Sequence, residues 1–184
     1  MPATLLKHLI KAPALTGAVV PSSPFLARAM ADAAQGAAHI VELGAGTGPV
    51  TRELASRYPH AQLTVVEMEP AMARRLTRAH PRARVHARPA AEVLDELAEL
   101  NGHDDRPVAL VSSLPFRSFP EWLRNETRRS VLDFLRRHAG SWLVQFTYQP
   151  RAPFEAAPGF AWQREQTVVA NLPPAGVWTL RQTG

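Results

Sequence analysis

The feature that most constrains this chain is a regular alternation of short apolar segments with longer segments of helical periodicity. Predicted strands cover residues 39–43, 63–67, 84–87, 108–112 and 141–148, and predicted helices cover residues 50–57, 70–79, 90–100 and 121–138. Strands that alternate with helices in this way form a parallel sheet with helices on both faces. Two further strand-like segments, 162–170 and 177–181, flank a short turn and predict an antiparallel hairpin. The sequence therefore predicts an α/β protein with a mostly parallel, seven-stranded sheet.

The chain has 184 residues, the size of one domain, and contains no linker or internal repeat. We expect a single domain in which residues 36–184 form the core and residues 1–35 form helices that cap it. In this cap, residues 5–11 predict a short amphipathic helix, and their lysines interrupt the apolar stretch that a signal peptide would need. A second helix is predicted to begin at Pro24, with Ser23 as its N-cap.

The composition excludes several kinds of site. The chain has no cysteine, which excludes disulfides, thiolate metal sites and a cysteine nucleophile and is consistent with a reducing cytoplasm. The seven histidines show no metal-type spacing, and we predict no metal site. The net charge of +5 favours an anionic partner, such as nucleic acid, an acidic membrane surface or a phosphorylated substrate. Arginines on solvated faces would give the same balance.

A glycine loop (residues 44–48) follows the first predicted strand and precedes a helix, within the sequence V-E-L-G-A-G-T-G. Glycine lets the backbone turn sharply and approach a ligand, and the N–H groups at the helix N-terminus can hold polar ligand groups. About 20 residues on, Glu67 ends the second predicted strand, where a carboxylate can accept hydrogen bonds from both hydroxyls of a ribose. Met68 is then placed along the adenine face. This context predicts a nucleoside cofactor, and a tight turn without a ligand is the alternative.

The glycine spacing distinguishes between nucleoside cofactors. A dinucleotide loop, G-x-G-x-x-G, would place a third glycine where this chain has Pro49. Glu42, at the end of the first strand, suits a cofactor with an ammonium group, and S-adenosylmethionine has such a group and no pyrophosphate. The stretch E-L-G-A-G-T-G resembles the first motif of class I methyltransferases, and V-V-E ending at Glu67 resembles their second. The resemblance implies a Rossmann-like fold that binds S-adenosylmethionine.

One position departs from the pattern of that family. Members usually carry an acid after the third strand, where it meets the adenine amino group, but Pro89 stands about there and has no N–H. We expect the adenine to be held by backbone or packing around Ala90 and Ala91. The candidate cofactor-binding residues are Glu42, Gly44, Ala45, Gly46, Thr47, Gly48, Glu67, Met68, Ala90, Ala91 and Ser112.

The S-S-L-P-F segment (residues 112–116) follows the fourth predicted strand, at the edge of the sheet where open α/β proteins bind ligands. It is similar to the N-P-P-Y and N-L-P-Y segments of amine-directed methyltransferases, with serine in place of the amide and Phe116 as the aromatic residue. The resemblance makes Ser113, Leu114 and Pro115 candidate catalytic residues, with the carbonyl groups near Ser113 and Leu114 accepting the hydrogens of the amine. A plain strand-to-helix turn is the alternative.

Three stretches together resemble the bacterial phospholipid N-methyltransferases: residues 20–27, 112–120 and 145–148. The resemblance implies methylation of the amino headgroup of phosphatidylethanolamine, toward phosphatidylcholine, or of a related aminolipid such as ornithine lipid. It also implies a peripheral enzyme at the inner face of the cytoplasmic membrane, where its partners are the anionic membrane surface and the phospholipid substrate.

The same resemblance suggests roles on the substrate side. Tyr148 is a candidate catalytic residue whose ring can attract the growing quaternary ammonium, although a tyrosine at a strand end can also simply pack on the neighbouring chain. Arg117 and Arg151 are candidates for binding the lipid phosphate. The amphipathic helix over residues 5–11 is expected either to lie in the membrane interface or to cover the protein's own core.

Two other functions stay open at this point. An RNA adenine N6-methyltransferase would suit the basic charge and the S-S-L-P-F segment, but the serine in place of asparagine argues against it. A binding module without transferase activity would suit the missing acid near Pro89.

Overall fold

The structure is a computed structural model that describes residues 23–100 and 106–184. The amphipathic helix predicted over residues 5–11 lies outside the described residues. The helices are α1 (Pro24–Asp32), α2 (Pro49–Arg57), α3 (Pro70–Ala79), α4 (Ala90–Leu100) and α5 (Glu121–Arg137). The strands are β1 (His39–Leu43), β2 (Gln62–Val66), β3 (Arg84–His86), β4 (Val108–Ser112), β5 (Trp142–Thr147), β6 (Phe160–Val168) and β7 (Ala175–Gln182).

The strands form one seven-stranded sheet in the order β3-β2-β1-β4-β5-β7-β6. Strands β1 to β5 are parallel, whereas β7 is antiparallel to both β5 and β6. The chain order reverses between β1 and β4, which are neighbours in the sheet and end together at the pair Leu43 and Ser112. Ligands of open α/β sheets bind beyond the carboxyl ends of the strands at such a reversal.

The apolar patterning explains the layers. Every residue of β1 and β4 is buried, because helices cover both faces of a parallel sheet at its centre. One face packs against apolar residues of α1, α2 and α3, and the other packs against α4 and α5. The α/β architecture predicted from the sequence is confirmed.

The helix and strand boundaries also follow the sequence closely. Helix α1 begins as predicted, with the hydroxyl of Ser23 accepting a hydrogen bond from the N–H of Leu26 at 3.2 Å. The largest shift is in the hairpin, because β6 begins at Phe160, which pairs with Gln182, and ends at Val168, which pairs with Ala175. Among the described residues, no helix has both the length and the apolar character needed to cross a membrane.

Candidate functional site

The glycine loop occupies the predicted position, directly after β1. Its three glycines, Gly44, Gly46 and Gly48, have φ angles of +75°, +56° and +84°, a region that other residues rarely adopt. The N–H groups of Gly44 and Ala45 donate to the carbonyl of Val66 at 2.8 and 3.2 Å. These bonds hold the loop over the end of β2.

Close contacts exclude a side chain at two of the glycines, whereas at the third only the positive φ angle favours glycine. A Cβ atom at Gly44 would lie 2.7 Å from Leu114 Cδ2, and one at Gly48 would lie 2.7 Å from Leu76 Cδ2. A Cβ atom at Gly46 would meet nothing within 4 Å. The backbone at Gly46 therefore faces open space, which leaves room for a ligand to approach it.

Glu67 lies against the glycine loop, as its position in the sequence predicts. Its Oε2 atom accepts a hydrogen bond from the N–H of Gly46 at 2.8 Å, and its Oε1 atom accepts one from the N–H of Glu69 at 2.8 Å. Each carboxylate oxygen can accept a second hydrogen bond. The geometry is therefore compatible with a ribose whose two hydroxyls donate to Glu67, which stays a prediction.

Glu42 is fully buried on β1, with an exposed fraction of 0%. Among the described residues, none donates a hydrogen bond within 3.5 Å to either of its carboxylate oxygens, although Thr51 lies close enough to affect its charge. The pKa of Glu42 is raised to about 7: burial is the largest cause, hydrogen bonding to Thr51 opposes it in part, and the charge of Glu67 adds a smaller rise. A buried, ionised carboxylate is unfavourable unless it takes up a proton or a cation binds to it. This arrangement fits the ammonium group of S-adenosylmethionine.

The described segment 87–91, where we predict the adenine to lie, contains no acidic residue. Helix α4 begins at Ala90, and Ala91 is buried against the core. The first acid of α4, Glu92, lies 3.4 Å from the guanidinium of Arg88. The structure thus leaves Met68, Ala90 and Ala91 as the predicted neighbours of the adenine, without an added polar side chain.

The S-S-L-P-F segment is fixed at the ends of β1, β4 and β5. The N–H of Ser113 donates to the carbonyl of Leu43 at 2.9 Å, and the N–H of Leu114 donates to Ser112 Oγ at 3.2 Å. The Leu114 carbonyl accepts two hydrogen bonds, from the N–H of Phe116 at 2.9 Å and from Gln145 Nε2 at 3.1 Å. These hydrogen bonds fix the conformation of the segment, which is therefore more than a plain strand-to-helix turn.

These bonds refine the prediction for the carbonyl groups. A carbonyl oxygen has two lone pairs, and both lone pairs of Leu114 are already engaged. The Ser113 carbonyl accepts no hydrogen bond from the residues that the structure describes. Ser113 is therefore the better candidate for accepting the hydrogens of an amine. Phe116 is buried, and the centroid of its ring lies 6.0 Å from that of Phe119 and 5.1 Å from that of Phe154. These packing contacts support the segment.

Tyr148 follows β5, and 44% of its surface is exposed to solvent. Its ring meets that of Phe146 edge-on at 5.4 Å. Partial burial raises the pKa of the phenol, and Asn171 offsets this rise in part, so the side chain is neutral at physiological pH. An exposed, neutral aromatic ring at this edge of the sheet is compatible with the predicted contact to an ammonium group.

Arg117 and Arg151 come together at the same edge. Arg117 donates to the carbonyl of Ala152 at 2.8 Å, and Arg151 donates to Gln149 Oε1 at 2.9 Å. Partial burial lowers the pKa of Arg117, and the nearby charge of Arg151 lowers it further. Neither guanidinium forms an ion pair with any residue in the described ranges. Two neighbouring cations without a carboxylate suit an anionic ligand group.

Gln145 is the residue of this region that sequence reasoning did not single out, although it begins the stretch 145–148. The available signal was an amide inside an apolar strand, between Val144 and Phe146. Such a residue is unusual in a buried strand and points to a hydrogen-bonding task.

The mostly parallel sheet, with a glycine loop after β1, Glu67 after β2 and the buried Glu42, agrees with the resemblance to S-adenosylmethionine-dependent methyltransferases. Residues 40–138 match the model of the family described as "Methyltransferase domain", and the chain belongs to this family. It is a class I enzyme, and S-adenosylmethionine is its methyl donor.

A known protein is similar to this chain in sequence, and several solved structures are similar to it in fold. An ornithine lipid N-methyltransferase of Singulisphaera acidiphila is 31% identical over 183 residues, which cover 89% of this chain and 86% of the relative. A methyltransferase of Burkholderia thailandensis, solved with 1,6-didemethyltoxoflavin and S-adenosylhomocysteine, has a TM-score of 0.57 at 16% identity, with 88% of this chain and 79% of that chain covered. A 23S rRNA methyltransferase has a TM-score of 0.52 at 19% identity, with 86% and 67% covered. The two solved structures establish the fold alone.

Proposed function

We propose that this methyltransferase N-methylates the amino headgroup of a membrane lipid, with an ornithine lipid as the first candidate substrate. The observation that carries the proposal is the 31% identity to an ornithine lipid N-methyltransferase across 89% of this chain. The sequence motifs favour phosphatidylethanolamine, and the relative favours ornithine lipid. Both substrates present a primary amine beside an anionic group.

S-adenosylmethionine supplies an electrophilic methyl group when it is bound. The chain's own residues must then hold a neutral amine in line with that methyl group and exclude other orientations. In this proposal the Ser113 carbonyl accepts an N–H of the amine, Pro115 stiffens the backbone and Ser112 and Leu114 lie against the cofactor. The ring of Tyr148 stabilises the cationic product by about 1–2 kcal/mol.

The arginine pair is suited to the anionic part of either headgroup. The acid group of phosphatidylethanolamine is a phosphate, whereas that of ornithine is a carboxylate, and guanidinium groups bind both. Arg117 and Arg151 are therefore proposed to bind the headgroup anion, whichever of the two it is, while the amine reaches Ser113.

A lipid substrate also requires contact with the membrane surface. Phe25, Val169 and Leu172 are large apolar side chains that are exposed, Leu172 to 84%. The N–H of Ser23 donates to Asn171 Oδ1 at 3.3 Å, which brings the start of α1 next to the turn between β6 and β7. These apolar side chains support a peripheral position, which we propose to be the inner face of the cytoplasmic membrane.

A labelling panel tests the proposed function. Purified protein is incubated with methyl-labelled S-adenosylmethionine and, separately, with vesicles containing ornithine lipid, vesicles containing phosphatidylethanolamine, and rRNA. We expect label in an aminolipid, with the ornithine lipid labelled fastest. Label in rRNA and in neither lipid would refute the proposal, and label in phosphatidylethanolamine alone would restore the substrate that the motifs favour.

Removing either arginine charge should weaken lipid binding selectively. Each charge-assisted hydrogen bond is worth about 1.5–3 kcal/mol, so Arg117→Gln or Arg151→Gln should raise KM for the lipid by about tenfold or more. The kcat value and the affinity for S-adenosylmethionine should change little. Steady-state kinetics on vesicles would measure this, with the exposed Arg129→Gln on α5 as the control. Equal KM values for the variants and the control would remove the arginine pair from the site.

A further inference from the structure

Gln145 stands out in the sheet because it is a buried polar side chain next to the reaction site. It lies on β5 with an exposed fraction of 2%, directly opposite Ser112 in the pairing of β4 with β5. Its neighbours along the strand, Leu143 and Val144, are fully buried apolar residues. An apolar residue at position 145 would satisfy the core, so packing alone does not account for the amide.

The amide group of Gln145 is fixed through its nitrogen. Nε2 donates to the carbonyl of Leu114 at 3.1 Å and to the carbonyl of Phe146 at 3.0 Å. Two carbonyl oxygens can be faced only by a donor, which settles the orientation of the amide. The Oε1 atom is buried and has no partner. Burial of Oε1 without a partner costs free energy, while Nε2 holds the two carbonyl groups.

The bond to Leu114 connects the two halves of the site. The backbone of Leu114 is held on one side by Ser112 Oγ and on the other by Gln145. The Leu114 side chain lies against the glycine loop, so close that a Cβ atom at Gly44 would be 2.7 Å from it. Gln145 thereby acts together with the hydrogen bonds of Ser112 and Ser113 to hold the S-S-L-P-F segment relative to the cofactor loop.

We propose that Gln145 is a positioning residue for methyl transfer. By holding the Leu114 carbonyl, it keeps the adjoining Ser113 carbonyl free and directed at the substrate amine. Rates of in-line transfer depend steeply on the alignment of the reacting groups, so a small displacement of this segment is costly. The inference rests on the proposed function, in which the amine binds at Ser113.

The isosteric substitution Gln145→Glu tests this role. It replaces the donor by an oxygen that faces two carbonyl oxygens, so the Leu114 carbonyl loses its anchor. We expect kcat for the aminolipid to fall by about 10- to 100-fold, because two hydrogen bonds are lost and the segment shifts. The dissociation constant of S-adenosylhomocysteine should stay within about threefold, measured by calorimetry, since the contacts predicted for the cofactor lie elsewhere.

The pH dependence separates positioning from general damage. A protonated carboxyl group has one donor and can restore one of the two bonds, so the deficit of Gln145→Glu relative to wild type should shrink as the pH falls. The matched control is Gln62→Glu, the same chemical change at the exposed start of β2, at the opposite end of the strands. The control should show wild-type activity and no pH-dependent deficit.

Amide hydrogen exchange gives a readout that needs no substrate. Residues 113–117 should exchange faster in Gln145→Glu than in wild type or the control, because their anchor is lost. If Gln145→Glu does not fold, Gln145→Met, which is uncharged and lacks the donor, takes its place. A kcat within threefold of wild type together with unchanged exchange would overturn the inference. If wild-type protein labels no aminolipid, the proposed function fails. The role of Gln145 as an anchor is then tested by hydrogen exchange alone, and unchanged exchange at residues 113–117 would refute it.

Discussion

Substituting alanine for Glu67 should lower the affinity for S-adenosylmethionine by about 100-fold or more, because it would remove both of the charge-assisted hydrogen bonds that we predict between this carboxylate and the ribose. The carboxylate also accepts the N–H of Gly46 at 2.8 Å, so it shapes the loop that it faces. Alanine would leave that N–H without its partner and let the loop move. Both effects act in the same direction, and calorimetry with S-adenosylmethionine would measure their sum.

Two further variants separate these effects. Glu67→Gln keeps one oxygen that can accept from the Gly46 N–H but loses the charge and the acceptor of the Glu69 N–H, so we expect a smaller decrease, of about tenfold. The exposed Glu126→Ala on α5 removes a carboxylate far from the loop in sequence and should bind like wild type. If Glu67→Ala binds the cofactor with near-normal affinity, the ribose does not lie at Glu67.

The fold was predictable because its signals are local and repeated. Segments such as 108–112 are apolar on both faces, which only a central strand of a covered sheet allows. The hairpin was predicted less accurately because the outer strand β6 is mostly exposed, so its ends at Phe160 and Val168 are set by pairing with β7 and not by an apolar pattern.

The candidate site was predictable where its functional residues lie directly after the ends of strands. Glu67 and the glycine loop converge because β1 and β2 are parallel neighbours that end together at the pair Leu43 and Val66. Hydrogen bonds between distant segments were not predictable. The engagement of the Leu114 carbonyl by Gln145 depends on the packing of β4 against β5, and no periodicity in the sequence encodes which lone pair is filled.

The second large effect is expected for a substitution of Glu42. Replacing this carboxylate should stabilise the free protein but weaken its complex with the cofactor. The pKa of the carboxyl is raised from 4.5 to about 7, so the folded protein favours the protonated form. The stabilisation that protonation gives is fully present below pH 4.5 and is lost as the pH rises through 7. Above that pH, the ionised, buried carboxylate lowers the free energy of unfolding by about 3 kcal/mol.

Glu42→Gln should therefore stabilise the free protein at pH 8, where it removes the buried charge, and change little at pH 5, where Glu42 is already neutral. An effect of about 3 kcal/mol corresponds to a rise in Tm of roughly 6–12 °C for a domain of this size. Thermal unfolding of both proteins at the two pH values measures it. An equal Tm difference at pH 5 and pH 8 would contradict ionisation as the cause.

Cofactor binding should reverse the preference. We predict that the ammonium group of S-adenosylmethionine binds the ionised carboxylate of Glu42, so binding to wild type at pH 6 should release about one proton, and Glu42→Gln should bind more weakly without that release. Calorimetry at pH 6 in two buffers of different ionisation enthalpy measures the protons released. A wild-type protein that binds without proton release, or a variant that binds as tightly, would show that the ammonium group lies elsewhere. A variant that is more stable alone and weaker with its cofactor is the result that only a carboxylate kept for a cationic ligand explains.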